Sequence, residues 1–436
     1  MIDLLKQIIL DFQGSVIESG TPRGLEYSIV NNKAFICIGV RRCGKSTLMY
    51  QVMEKLLRDG VPADNILYMN FFDDRLTVLK SGNLAPVMDA YFSLYPEKQG
   101  GETVYCFFDE IQEVRHWESF IDRIMRTEKC RVFITGSSAK MLSKEIATQM
   151  RGRSLSWELF PFSFIEYLAH RGLDHNGLTT RKTRLCVNAF DDYFQTGGFP
   201  EVLGLDAGVR IRLHQEYYKA ILNRDIIDRY DCPHPQAVLQ LAYRLMTSIA
   251  NPYSLNRLFQ YMKSIGFKIT KDFIADCLQW FEDCYFMFSV KKFDRSVTKQ
   301  NANPKKIYCV DHGLIRSIDP DMGEKRGFLL ENAVYMRLRI MTDAINYYRT
   351  GTGNEVDFIW QDHRNMKHLV QVAYNIDSDY TKDREIRALR EAMRELHLTG
   401  GTLVTYSREG THQTPEGTIE IVPAWKFSIT GNREVK

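Results

Sequence analysis

The sequence predicts an α/β protein: a parallel sheet with crossover helices first, then a helical unit, then a second α/β domain. Three observations carry this reading. From Phe35 to about Trp157, short runs rich in β-branched and aromatic residues alternate with helical patterns, as they do when parallel strands are joined by crossover helices. From Pro161 to about Ile227 the pattern is mostly helical, and from about Asn303 to Lys436 strand-like runs return. A chain of 436 residues is also too long for one ordinary core, so two or three domains are expected.

At the N-terminus, "MIDLLKQIILDFQ" spaces Ile2, Leu5, Ile9 and Phe12 as one face of a helix, with Asp3, Lys6 and Asp11 between them. That is an amphipathic helix, not a secretion signal. The runs "AFICIGV", "NILYMNF", "TVYCFFDE", "RVFITGSS" and "SLSWEL" read as strands, with helices over 48–57 and 117–126 among them. The turn "QTGGFPEV" (195–202) is made sharp by Gly197, Gly198 and Pro200. Between 235 and 295 come a helix from Leu255, a turn at Gly266, a helix capped near Thr270 and running to Phe281, and the β-like "CYFMFSVKKF". This order resembles a winged helix. The strands "KIYCV", "AINYYRT", "EVDFIW", "HLVQVAY", "TLVTYS" and "IEIVPAW" complete the chain. The expected domains are therefore 1–160, 161–234, 235–300 and 301–436.

Composition narrows the function classes. With 44% hydrophobic and 25% charged residues the chain is a folded protein and not a disordered one. No stretch approaches 18 uninterrupted apolar residues, so no membrane span is expected. Nine cysteines stand singly with no CxxC pair, which points to a reducing, cytoplasmic setting. A net charge of +3 gives no strong field, so any nucleic-acid surface must be a local patch.

The stretch "GVRRCGKS" fits G-x-x-x-x-G-K-[ST] with Gly39, Gly44, Lys45 and Ser46, between an expected strand and an expected helix. Glycines let a backbone fold around an anion, so that successive N–H groups and the positive helix end face phosphates. This is a Walker A phosphate loop. Gly39, Arg42, Cys43, Gly44, Lys45, Ser46 and Thr47 are the expected nucleotide-binding positions. Lys45 would neutralise the β and γ phosphates of ATP, Ser46 would place its hydroxyl on Mg²⁺, and Thr47 would lie beside the α phosphate.

Such a site needs acids on another strand. "VYCFFDE" supplies them as a Walker B strand ending in Asp109 and Glu110: Asp109 would hold Mg²⁺ through water, and Glu110 would orient the attacking water. The next strand ends in Thr135, Ser137 and Ser138, any of which could reach the γ phosphate; Ser137 is taken as the candidate. "MRGRSL" brings Arg151 and Arg153. Arg153 could act on the transition state from a neighbouring subunit, or form a salt bridge within its own domain.

With these residues in view, the chain resembles a family of prokaryotic AAA+ superfamily ATPases, through "GVRRCGKST", "FFDEIQEV", "FITGSSAKML", "MRGR" and "LFPFSFIEYL" in order. The family's C-terminal part is matched by "YFQTGGFPEVL", "ILNRDIIDRY", "IYCVDHGL", "FLLENAVYMRL" and "GNEVDFIW". The resemblance implies a restriction-endonuclease-like fold for the last region. Metal-dependent members of that fold need a helix glutamate, an aspartate and a following E-x-K. Glu331 and Asp357 match the first two, whereas Gln371 and Ala373 stand where the second acid and the lysine belong. A neutral amide binds a divalent cation less strongly than a carboxylate, and alanine cannot assist a nucleophile. The expectation is a nuclease-like scaffold without nuclease chemistry.

Three functions compete on these grounds. An ATP-driven switch engaging DNA or a protein partner accounts for both halves of the chain. An ATP-dependent nuclease working through Glu331 and Asp357 is opposed by the missing lysine, and an adaptor that binds ATP without turnover is opposed by Glu110. For DNA, Lys291, Lys292, Arg295, Lys299, Lys305 and Lys306 cluster around Phe293, a patch suited to phosphates with little sequence preference. Should Arg153 act between subunits, the chain would associate with itself.

Overall fold

The computed structural model describes residues 1–137, 148, 150, 152–177, 179–362 and 364–430. Ser138 and Arg151 lie outside them. The chain divides into two compact units, Met1–Phe160 with Asp283–Tyr285, and Pro161–Glu282 with Phe286–Lys436.

The first unit holds α1 (Ile2–Gln13), β1 (Ala34–Ile38), α2 (Lys45–Arg58), β2 (Ile66–Asn70), α3 (Ala85–Leu94), β3 (Val104–Asp109), α4 (Trp117–Thr127), β4 (Cys130–Gly136) and β5 (Ser154–Glu158). The strands form one sheet in the order β2-β3-β4-β1-β5, and every pairing in it is parallel. Strands covered on both faces read as nearly continuous apolar runs, which is why "AFICI" is buried at all five positions. Rings tie neighbouring strands together: Phe107 stacks on Phe133 at 4.5 Å and Phe35 on Trp157 at 4.6 Å. The amphipathic α1 seals one side, with Phe12 stacked on Tyr68 at 4.3 Å. Because all five strands run the same way, the residues following β1, β3 and β4 gather at one edge of the sheet.

The second unit begins with α5 (Phe164–His170), whose capping box pairs Ser163 with Glu166, and continues through α6 (Thr180–Thr196) and α7 (Ala207–Ala220). Next come α8 (Pro235–Met246), β6 (Pro252–Tyr253), α9 (Leu255–Ser264), α10 (Lys271–Asp283), β7 (Met287–Lys292), α11 (Val297–Ala302) and β8 (Lys305–Cys309). The remainder is α12 (His312–Ile318), α13 (Arg326–Arg339), β9 (Ile345–Arg349), β10 (Glu355–Gln361), β11 (Lys367–Ala373), α14 (Asp379–Leu396), β12 (Gly400–Thr405), β13 (Gly410–Thr414), β14 (Gly417–Pro423) and α15 (Ala424–Thr430).

Nine strands form one mixed sheet, β13-β14-β12-β11-β10-β9-β7-β8-β6. It runs through residue 300, where the sequence places a domain boundary: β7 pairs antiparallel with β8 and parallel with β9. Ile386, Leu389, Ala392 and Met393 of α14 pack on Leu369, Leu403 and Ile419 of the sheet.

Two glycine turns interlock within this unit. The Gly198 N–H donates to Asp311 Oδ2 at 2.6 Å across 113 positions, and the Leu314 N–H donates to Asp311 Oδ1 at 2.8 Å. A Cβ on Gly313 would lie 2.2 Å from the Thr196 carbonyl oxygen, and one on Gly198 would lie 2.3 Å from that of Phe162. Glycine is required there by close approach of backbone to backbone.

Candidate functional site

The expected phosphate loop lies between β1 and α2, as the spacing demands. Gly39 sits against the Leu159 carbonyl so closely that a Cβ would come within 1.9 Å of it. Gly44 has φ +98° at the N-cap of α2, a left-handed conformation that glycine adopts without strain. The first-turn N–H groups of α2, contributed by Lys45, Ser46 and Thr47, therefore face the loop. Arg42 is exposed and left-handed, at φ +69°. Cys43 is buried, with its thiol donating to the Leu159 carbonyl at 3.2 Å, so that only its backbone serves the loop.

Lys45 is 4% exposed. Its Nζ lies 3.2 Å from the Gly39 and Val40 carbonyl oxygens and 3.4 Å from Glu110 Oε1. Burial opposes its charge, but Glu110 and the other anionic neighbours outweigh burial and lift its pKa above the ordinary lysine value. For Glu110 burial pushes upward, and the Lys45 ammonium more than compensates, holding the carboxyl below its usual range.

Asp109 closes β3 and is held on several sides. The Tyr68 hydroxyl donates to Oδ2 at 2.9 Å, the Thr135 hydroxyl donates to Oδ1, and Ser46 also hydrogen-bonds it. Burial first, and the adjacent Glu110 charge second, raise its pKa. Glu110 itself is left-handed at φ +53°, and its N–H donates to Thr135 Oγ1 at 2.9 Å. The Gln112 amide donates to Glu110 Oε2 and, at 3.4 Å, to Ser137 Oγ. Lys45, Ser46, Asp109, Glu110, Thr135 and Ser137 thus share one edge of the sheet, with Thr135 committed to the two acids and Ser137 at the open end of β4.

Arg153 is elsewhere. It precedes β5, whose register pairs Ser154 with Ala34 at the start of β1, so the length of β1 separates it from the phosphate loop. At about 3.3 Å per residue that is roughly 15 Å. Arg153 Nη1 lies 3.7 Å from Asp122 Oδ1.

Three participants escaped the sequence reading. Arg23 reaches the Cys43 and Phe160 carbonyls and stands 3.1 Å from where a Gly44 Cβ would be. Tyr68 joins Asp109 to Tyr50 through a hydroxyl contact at 3.2 Å. Gln112 bridges Glu110 and Ser137. Only Gln112, two residues past Glu110, had a local signal.

The second unit holds another buried charge cluster, and here one sequence expectation is corrected. Lys306, read as part of a surface patch, is 2% exposed. Its Nζ lies 2.9 Å from Glu331 Oε1, 2.9 Å from Asp357 Oδ1 and 2.8 Å from Glu355 Oε1. β8 is buried from Lys306 to Cys309, and Lys306 points into the acid cluster. Phe293 is likewise packed against the α14 core and covered by Lys367, its ring 4.8 Å from Nζ. A lysine thus does stand beside Glu331 and Asp357, delivered by β8 and not by β11. Burial, followed by the Asp357 charge, pushes the Glu331 carboxyl up to about 7.

Fold and loop together define the first unit as a member of the P-loop ATPase superfamily. A family model described as "AAA domain" matches residues 31–168, and two models described as "Domain of unknown function" match 187–323 and 326–427. The chain belongs to the family of the uncharacterized protein MJ1544 of Methanocaldococcus jannaschii, to which it is 31% identical over 420 residues, 94% of this chain and 91% of that one. An uncharacterized protein of Haemophilus influenzae is 26% identical, with coverage of 83% and 88%. Among solved structures, the Walker-type ATPase paby2304 of Pyrococcus abyssi gives a TM-score of 0.42 at 14% identity, covering 66% of this chain and 91% of that one. The Aeropyrum pernix ORC1 protein in complex with DNA gives 0.29 at 13% identity, with coverage of 67% and 88%. No helix among the described residues is long and apolar enough to cross a membrane.

Proposed function

We propose that the chain hydrolyses ATP with Mg²⁺ in its first unit and uses the nucleotide state as a switch on how its C-terminal half engages a partner. The observation that carries this is the convergence of Lys45, Ser46, Asp109 and Glu110 at one sheet edge beside a glycine loop in which Gly39 leaves no room for a Cβ. The residues present fit the group: buried Lys45 offers a cation to the phosphates, while Ser46 and Asp109, already hydrogen-bonded to each other, would hold the Mg²⁺. When bound, Mg²⁺ would neutralise charge on the β and γ phosphate oxygens. Glu110, kept ionised by Lys45, is suited to orient water once the phosphates draw the lysine away. Ser137 would sense the γ phosphate, and Arg153, far from its own loop, would act on the nucleotide of another subunit.

For the partner, the order α8-β6-α9-α10-β7-β8, with β8 between β6 and β7, supports the winged-helix reading. Its second helix after β6, α10, carries Lys271 against Asp272, Asp276, Glu282 and Asp283. That charge opposes insertion along DNA phosphates and favours a protein partner. The DNA reading rests instead on Lys291, Lys292, Arg295, Lys299 and Lys305 around α11; a DNA affinity that falls steeply with added salt would favour it.

The test of turnover is Glu110→Gln, which leaves Asp109 and the loop intact. ATP affinity by calorimetry should persist, while hydrolysis falls on the order of 10²-fold or more. An unchanged rate would remove Glu110 from the mechanism, and absence of turnover in the natural chain would favour an ATP-binding adaptor.

A further inference from the structure

We propose that Lys306 is a built-in cation that takes the place of a divalent metal in the acid cluster of the second unit, making that cluster complete without metal. The restriction-endonuclease resemblance implies a metal held by the residues at Glu331, Asp357 and Gln371, and the donor set does not fit that ion. An ammonium has three N–H donors, and Nζ of Lys306 has three carboxylate oxygens at 2.8–2.9 Å, one each from Glu331, Glu355 and Asp357. A dication drawn to those oxygens would meet a full positive charge at hydrogen-bond distance from every one of them.

Further hydrogen bonds engage Glu331, Asp357 and Gln371. Glu331 Oε1 also accepts from the Tyr308 hydroxyl at 2.7 Å. Asp357 Oδ2 accepts from the Val372 N–H at 3.0 Å. Gln371, at the position of the third ligand, has turned both ends of its amide away: Oε1 accepts from the Asp357 N–H at 3.0 Å and Nε2 donates to Glu385 at 2.7 Å. Among the described residues, no three His, Cys, Asp or Glu side chains are grouped so as to hold a metal ion.

Nor is the lysine easily displaced. It is paired to Val290 of β7 on one side and to Pro252 of β6 on the other, so its backbone cannot swing out. Withdrawing the side chain would leave three carboxylates without their cation, a strongly unfavourable state for buried charge. Access is not what keeps a metal out, because a cavity of about 590 Å³ lined by Lys306, Glu331, Asp357, Gln371, Arg326 and Arg384 opens onto the cluster. It follows that this unit meets its partner without metal and does not cut phosphodiesters through these acids.

The experiment is a titration of the full chain, without nucleotide, with Mn²⁺, reading free Mn²⁺ by electron paramagnetic resonance. Wild type and Asp357→Asn should bind Mn²⁺ equally. Lys306→Met should gain one site at least about tenfold tighter than any in wild type, and Lys306→Met/Asp357→Asn should lose it. Mn²⁺ held near Ser46 and Asp109 is common to all four chains and cancels, so the outcome is independent of the ATPase reading. Wild-type binding that weakens tenfold or more in Asp357→Asn would overturn the proposal, as would a folded Lys306→Met chain with no new site. Should Lys306→Met not fold, the comparison of wild type with Asp357→Asn decides alone: equal binding supports the proposal, and weaker binding in the variant overturns it.

Discussion

Lys45 in the first unit and Lys306 in the second are both buried and both face carboxylates, yet they are held in opposite ways. Lys45 has one carboxylate at 3.4 Å and two carbonyls at 3.2 Å. Lys306 has three carboxylates at 2.8–2.9 Å. Attraction between charges weakens with distance and with the number of partners lost, so Lys45 is the more lightly held of the two, as its proposed role in phosphate binding requires. Lys306 is saturated and serves the fold. The roles proposed for the two lysines thus match their contacts: long and few for the phosphate-binding one, short and complete for the structural one.

The largest expected difference is in ATP binding. Lys45→Ala should abolish it, because Lys45 is the buried cation at the first turn of α2, among the N–H groups that would face the β and γ phosphates; equal calorimetric affinity in mutant and wild type would break the comparison on the first unit's side. On the other side, Lys306→Ala should destabilise the second unit by about 3–5 kcal/mol, the usual cost of stripping one partner from a buried ion pair. The fall would be read in the denaturant midpoint of the full chain, with ATP binding to the first unit kept at low denaturant.

Acidity sharpens the contrast further. Glu331 sits at about 7 against an ordinary 4.5, so its contribution is full below pH 4.5 and is lost as pH rises through about 7. Glu110 is lowered, so its contribution is present above pH 4.5 and is lost as pH falls through its depressed value. Glu331→Gln should therefore flatten the part of the loss that falls as pH rises from 4.5 toward 7, and Glu110→Gln the part that falls as pH drops below 4.5, each read in the denaturant midpoint of the full chain. The smallest effect belongs to Arg153→Ala. Its pair with Asp122 is long and its side chain is 34% exposed, so stability should change by under about 0.5 kcal/mol. If Arg153 acts between subunits, turnover should fall while ATP affinity holds, and mixing with Lys45→Ala chains should restore part of it.

Much of the first unit was legible because its signals are local. Each expected strand from "AFICIGV" to "SLSWEL" forms, and the glycines, Lys45, Ser46, Asp109 and Glu110 fall where spacing along strand and helix puts them. What could not be read depends on register and on long-range pairing. Arg153 lies beyond the far edge of β1 because β5 pairs in parallel from Ser154 onward, which no short motif encodes. Lys305 and Lys306 look alike in sequence, yet acids 25 and 51 positions away bury only the second. Arg23 approaches the loop from a segment without periodicity.

The interlocked turns at Gly198 and Asp311 set a timetable for synthesis. The two halves of that joint are 113 positions apart, and at about 5–20 residues per second a ribosome needs roughly 6–23 s to make the second after the first. Throughout that interval the Gly197–Gly198 turn has neither the carboxylate that receives its N–H nor the glycine that packs on Thr196. The helices before it must wait, half-assembled, for the start of a helix not yet translated. A nascent chain stalled after Asn303 should accordingly be cut by protease around Gly197–Gly198, and one released after Ile318 should be protected there.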